Sequence, residues 1–146
     1  MPQTNEHSMH FHYNVDGNDF TRAGEASSDM KSKLKTMNVN PEDVRNVAIA
    51  MYEGEINMVI HADGGVIDVD IYPDRLTMVL KDTGPGIEDV DLAMQEGYST
   101  ASEEIVNLGF GAGMGLPNMK RASDEMKIDT EVGVGTTVTM TIYFHE

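Results

Sequence analysis

The spacing of apolar and polar residues changes period several times along the chain, and each change marks an element. His10–Val15 (HFHYNV) alternates as a first strand does, and Ala23–Met37 reads as a first helix. At Asn40–Asp43 the sequence NPED carries the signals of a helix start: Asn at the cap, Pro at the first helical position and acids in the first turn. The helix it opens should run to about His61, and its few charges predict that it is well buried. Ile67–Ile71 (IDVDI) alternates apolar and acidic residues strictly, as a half-exposed strand does. Tyr72–Arg75 (YPDR) is a hairpin turn into a second strand, RLTMVLKD, whose apolar run predicts a central place in a sheet. Asp89–Gln95 suggests a short helix, Tyr98–Gly113 a long irregular segment, and Leu116–Glu125 a further helix. Lys127–Glu131 and Thr137–Phe144 then form a closing hairpin around GVG.

This order, roughly βααββ, an irregular segment and αββ, predicts an α+β two-layer sandwich. Helices should lie on one face of a mixed, largely antiparallel sheet. The other face should be partly wet, as the Asp68/Asp70 and Thr137/Thr139/Thr141 alternations suggest. Residues 1–8 read as a loose polar tail and residues 9–146 as a single domain, with no internal repeat or linker.

Composition narrows the chemistry. A chain of 146 residues that is 40% apolar can bury a core of its own. Without cysteine, disulfides, thiolate catalysis and cysteine-held zinc are excluded. No apolar stretch is long enough to span a membrane and no secretory leader opens the chain, so the cytoplasm is the expected location. A net charge of −15 argues against nucleic acid or anionic membrane as a partner. A nucleoside triphosphate could still be held locally, by backbone N–H groups, a helix N-terminus and a divalent metal.

Three places stand out. On the buried helix, Glu53 and Asn57 are four apart and share a face with Ile49, Ile56 and Ile60 nearby. A carboxylate and an amide there need partners unless the helix edge is at solvent; the functional alternative is a base and a metal ligand on a pocket wall. At Asp82–Ile87 the sequence DTGPGI stops a strand with glycines and a proline, either as a plain turn or as an acid aimed at a ligand. Gly109–Gly115 (GFGAGMG) alternates glycine and then opens a helix, which suits either phosphate binding or simple flexibility. It fits neither a Walker loop nor a dinucleotide fingerprint.

Taken in order, Glu53–Asn57, Asp82–Gly86, Gly109–Gly115 and Gly133–Thr137 resemble the boxes of the Bergerat-fold (GHKL) ATP-binding proteins. DTGPGIEDVDLAMQEGYST followed by GAGMGLPNMKRASDEM is similar, more narrowly, to the small bacterial serine/threonine kinases of partner-switching systems, the anti-sigma factors and switch kinases. The resemblance implies ATP and Mg²⁺ as cofactors and a serine or threonine of a STAS-domain partner as the acceptor; it leaves a homodimer open. Asp82 would accept from the adenine amine, with Gly84 and Gly86 close to the base and Thr137 supporting its edge. Asn57 would hold Mg²⁺, and the main chain of Gly111, Gly113, Met114, Gly115 and Leu116 would bind the phosphates. Glu53 would act as the catalytic base, Ser99 and Thr100 would touch the γ-phosphate, and Tyr98–Gly113 would be a lid, with Ala101–Leu108 as extra sequence in it. Anti-sigma kinases place an arginine in that lid, but this chain has no Lys or Arg between Lys81 and Lys120, which counts against sigma-factor binding. The rival readings are a sigma-sequestering protein modulated by ATP and an ATP-binding domain without catalysis.

Overall fold

The computed structural model describes residues 8–17, 22–62, 64–95 and 115–145. In chain order the elements are β1 (Met9–Asp16), α1 (Glu25–Thr36), α2 (Pro41–His61), β2 (Gly64–Ile71), β3 (Arg75–Lys81), α3 (Val90–Ala93), α4 (Gly115–Ala122), β4 (Glu125–Glu131) and β5 (Gly135–Tyr143). Helix α2 has the start that its sequence predicts, with the Asn40 side chain accepting from the Glu42 N–H at 2.9 Å. It also ends where predicted, and ten of its residues are buried. The YPDR turn closes through Tyr72 N to Arg75 O at 2.8 Å.

The strands form one sheet in the order β1-β2-β3-β5-β4, and every neighbouring pair is antiparallel. The two-layer α+β architecture is as expected, whereas no parallel pair occurs among the described strands. β3 and β4 run the same way but are separated by β5, which pairs with both. β3 is central, as its apolar run predicts. β2 starts at Gly64, earlier than expected, because Gly64 and Gly65 pair with Asp16 and Val15. Helix α4 stops short of the expected Glu125: Asp124 N donates to Thr141 O, and the chain turns there to join β5.

Alternate residues of the strands face α1, α2 and α4. Ile67, Val69, Leu76, Met78, Met140 and Ile142 are all buried on that face, against Met30, Leu34, Val47, Met51 and Met119 of the helices. The unbranched methionines fill the irregular gaps between helix and sheet. The opposite face carries the predicted Asp68, Asp70, Thr137, Thr139 and Thr141, all part-exposed.

Two ionic arrangements fix the outer elements. Helix α1 has a left-handed glycine, Gly24 (φ 99°), at its start and no side-chain cap of its own. Its N-terminus is instead satisfied from α2: the Glu55 carboxylate, 2% exposed, accepts from the N–H groups of Gly24 (3.0 Å), Ala26 (3.2 Å) and Ser27 (2.8 Å). At the sheet edge, His10 faces Asp70 through Nδ1 (2.9 Å) and Asp68 through Nε2 (3.2 Å). His12 faces Asp68 through Nδ1 (2.7 Å) and Asn14 Oδ1 through Nε2 (3.4 Å). An imidazole with oxygen at both nitrogens is best satisfied when both carry protons. The hydrogen bond to Asp70 raises His10 above its ordinary pKa, that to Asp68 raises His12, and the bond from His12 lowers Asp68.

Removing the Glu55 carboxylate leaves a helix start without acceptors. Glu55→Ala should cost about 2–3 kcal/mol in urea unfolding; a loss under about 0.5 kcal/mol would mean that water replaces the three bonds. The histidine clasp has a defined pH sign. A raised histidine stabilises below its unfolded pKa, about 6.5, and ceases to as pH rises through the folded value; a lowered carboxylate acts above about 3.8. β1 should therefore be most protected between those limits and less so toward alkaline pH. Amide exchange of β1, corrected for the intrinsic rate, should show this, and His10→Gln with His12→Gln should flatten it. A flat profile in the parent would refute the clasp.

Candidate active site

The end of β3 and the start of β5 build one wall. Asp82 and Thr136 hold each other reciprocally: Asp82 N donates to Thr136 O at 3.0 Å and Thr136 N to Asp82 Oδ1 at 3.2 Å. Gly84 N also donates to Asp82 Oδ1, at 2.9 Å. Oδ1 is thus committed to the scaffold, whereas Oδ2 takes part in neither bond and suits a ligand N–H. A Cβ on Gly84 would lie 2.6 Å from that of Ala62, so the loop can lie against the end of α2 only because it has none. Gly86 (φ +79°) makes the turn that brings the loop beneath the β4–β5 connection, where Gly133 N donates to Pro85 O at 2.8 Å. Ile87 N donates to Thr130 Oγ1 at 2.9 Å, and that oxygen lies 2.9 Å from Thr136 Oγ1.

This geometry corrects one expectation. Thr137 alternates out of the core onto the far face of the sheet, between Lys81 and Asp129 in the register. The buried Thr136 is the threonine beside Asp82. The cause is strand parity: Thr136 lies on the same face as Val138, Met140 and Ile142.

A second wall is formed where α2 meets α4. Asn57 lies against the first residue of α4: a Cβ on Gly115 would come 2.8 Å from Asn57 Oδ1. One turn along each helix, Asn118 Nδ2 donates to Glu53 Oε2 at 2.8 Å, and Arg121 Nη2 donates to Asn118 Oδ1 at 2.5 Å. Glu53 and Asn57 are both half-buried, and Leu116 is buried behind them. His61, a turn beyond Asn57, is held below its ordinary pKa by burial. Among the described residues no group of three or more His, Cys, Asp or Glu could hold a metal ion.

The structure thus brings Asp82, Gly84 and Gly86 together in one cluster, with Gly84 against Ala62 just past α2, and Glu53, Asn57, Gly115 and Leu116 in another. Ser99, Thr100, Gly111, Gly113, Met114 and the segments Tyr98–Gly113 and Ala101–Leu108 lie outside the described residues. The sequence reading missed Thr136, Asn118 and Glu55. Strand parity could have selected Thr136. For Asn118 and Glu55 the partners lie 65 and 28 to 31 residues away, and no local pattern reveals them.

The comparisons show the family of the chain. The family model of the histidine kinase-like ATPase domain matches residues 18–142, and the chain belongs to that family. Its relatives include serine/threonine-protein kinase RsbT of Bacillus subtilis (strain 168), 31% identical over 112 residues, covering 74% of this chain and 78% of that protein. Anti-sigma F factor of Caldanaerobacter subterraneus subsp. tengcongensis is 36% identical over 107 residues, covering 70% of this chain and 71% of that protein. The motif resemblance to partner-switching kinases and anti-sigma factors is thereby borne out. The fold is shared with the RsbU and RsbW domains of a Mycobacterium tuberculosis protein (TM-score 0.63, 17% identity, 93% of this chain, 32% of that one). It is also shared with a chain of the SiaB-SiaC complex of Pseudomonas aeruginosa (TM-score 0.55, 14% identity, 90% of this chain, 88% of that one).

The placement of the two threonines can be tested directly. Thr136→Val should weaken binding of a fluorescent ATP analogue by about 1 kcal/mol, roughly fivefold, whereas Thr137→Val should leave it within about twofold. The reverse order would return Thr137 to the site.

Proposed function

We propose that the chain is an ATP-dependent serine/threonine protein kinase of a partner-switching system, acting in the cytoplasm on a STAS-domain partner, with residues 9–146 as its single catalytic domain. The observation that carries this reading is the Glu53 carboxylate: one oxygen is held by Asn118, one turn from Asn57 and beside the start of α4. Among the described residues no helix is long and apolar enough to cross a membrane.

In this reading Asp82 Oδ2 accepts from the adenine amine. Guanine presents a carbonyl oxygen at that place, so a carboxylate there selects ATP over GTP. Thr136, in place of Thr137, supports the base edge. The N–H groups of Gly115 and Leu116 point their dipoles at the phosphates from the start of α4. Asn57 offers one neutral amide oxygen, which fits Mg²⁺ that keeps its waters and phosphate ligands. The bound metal would neutralise charge on the β- and γ-phosphates. The acceptor hydroxyl oxygen bonds to the γ-phosphorus as the bond to the departing ADP oxygen breaks, and the hydroxyl proton passes to Glu53.

A second reading, sequestration of a sigma factor with ATP as modulator, is favoured by the name of the anti-sigma F relatives. The stretch without Lys or Arg between Lys81 and Lys120 counts against it.

Glu53→Gln separates catalysis from binding, because adenine, metal and phosphates are assigned to other groups. ATP affinity should stay within a few fold, while label transfer from γ-labelled ATP to a STAS-domain protein of the same cell should fall by about 10²–10⁴. Loss of both would make Glu53 a structural residue, and undiminished transfer would show that the proton goes elsewhere.

A further inference from the structure

Asn118 stands between Glu53 and Arg121. A carboxylate can only accept hydrogen bonds and a guanidinium can only donate them. Between Glu53 Oε2 at 2.8 Å and Arg121 Nη2 at 2.5 Å, the Asn118 amide has one workable orientation. Flipped, it would set oxygen against oxygen and N–H against N–H. Arg121 therefore fixes which end of the amide meets Glu53. Glu53 is a long side chain on α2, yet one of its oxygens is pinned from α4. Its other oxygen, Oε1, makes no hydrogen bond to a described residue.

From these contacts we propose that Asn118 is a positioning residue for phosphoryl transfer, holding Glu53 Oε2 so that Oε1 is presented to the incoming hydroxyl, with Arg121 setting the amide. This rests on the reading of Glu53 as the base. It also joins two functions in one element. α4 carries Gly115 against Asn57 and, one turn later, Asn118 against Glu53. A tilt of α4 that displaced the phosphate and metal side of the site would swing the base as well. Misalignment of a base by a fraction of an ångström lowers the rate without changing how ATP is held.

A tie that only fastened α4 to α2 would behave differently, because its loss would lower stability and ATP affinity together. The experiment compares the parent, Asn118→Ala, Asn118→Asp and Glu53→Gln in label transfer from γ-labelled ATP to the STAS-domain partner. It reads kcat, KM for ATP and the thermal midpoint, across about pH 5 to 9. Asn118→Ala should lower kcat by about 10- to 100-fold and keep KM for ATP within about threefold. Asn118→Asp keeps the volume and the Arg121 contact but sets carboxylate against carboxylate. While the pair shares a proton the introduced carboxyl can donate to Oε2 and keep the tie; once both are ionised no donor remains and the two repel, so the kcat deficit should deepen as pH rises. Unchanged kcat in both Asn118 variants, with transfer abolished in Glu53→Gln, overturns the proposal and spares the base. So does a joint loss of kcat, ATP affinity and thermal midpoint, with the parental pH profile in Asn118→Asp. Transfer that survives Glu53→Gln removes the base itself, and the positioning role with it.

Discussion

A carboxylate taken out of water must find donors, and Glu55 finds three main-chain N–H groups at the start of α1. Much of the helical layer follows from that contact. α1 has no cap of its own, so its position is set by α2. α1 in turn carries Asp29, which accepts from Tyr13 of β1 and from Lys33, and thereby fastens the edge strand from the helix side. At the other end of α2, the fully buried Asp43 accepts from the backbone and ring nitrogens of His145, just past the end of β5. Held near its start by His145 and through Glu55 by α1, α2 sets Gly54, beside Glu53, against Leu80 of β3.

The polar groups of the site share a design. Asp82 commits Oδ1 to the scaffold and Glu53 commits Oε2, so each retains an oxygen outside those bonds. Such half-satisfied carboxylates are oriented before any ligand arrives, which is how a site avoids reorganisation during reaction. The protein is strongly acidic, and no side-chain cation occurs between Lys81 and Lys120. The cations of α4, Lys120 and Arg121, lie in its last turn, away from Gly115 at its start.

Legibility in the sequence tracked the range of the forces involved. The boundaries of α2 were readable because the Asn40–Pro41 cap and the apolar content are local signals. The centrality of β3 was readable from its apolar run. β2 extends beyond the alternating IDVDI because Gly64 and Gly65, which have no side chains to alternate, lie within its ladder with β1. α4 was read too long because nothing local says that Asp124 will donate to Thr141. In the candidate site, Glu53, Asn57, Asp82 and Gly84 were visible as motif positions. Thr137, the threonine named from the motif, lies one residue from Thr136, which bonds Asp82, and in a strand one residue is a whole face. Asn118 and Glu55 were illegible because both complete contacts that exist only after distant segments have met.

The central position of β5 has a consequence for how the molecule is made. β5 is the last strand in the chain, yet it lies beside β3 and supplies Thr136 to Asp82 across a separation of 54 residues. Loop closure of that length must precede any gain from the pairing. During synthesis from the N-terminus, the emerging chain can form α1 and α2 early, but it cannot complete the Asp82 wall until Gly135–Tyr143 has left the ribosome. A nascent chain is thus barred from assembling the Asp82 wall by topology alone.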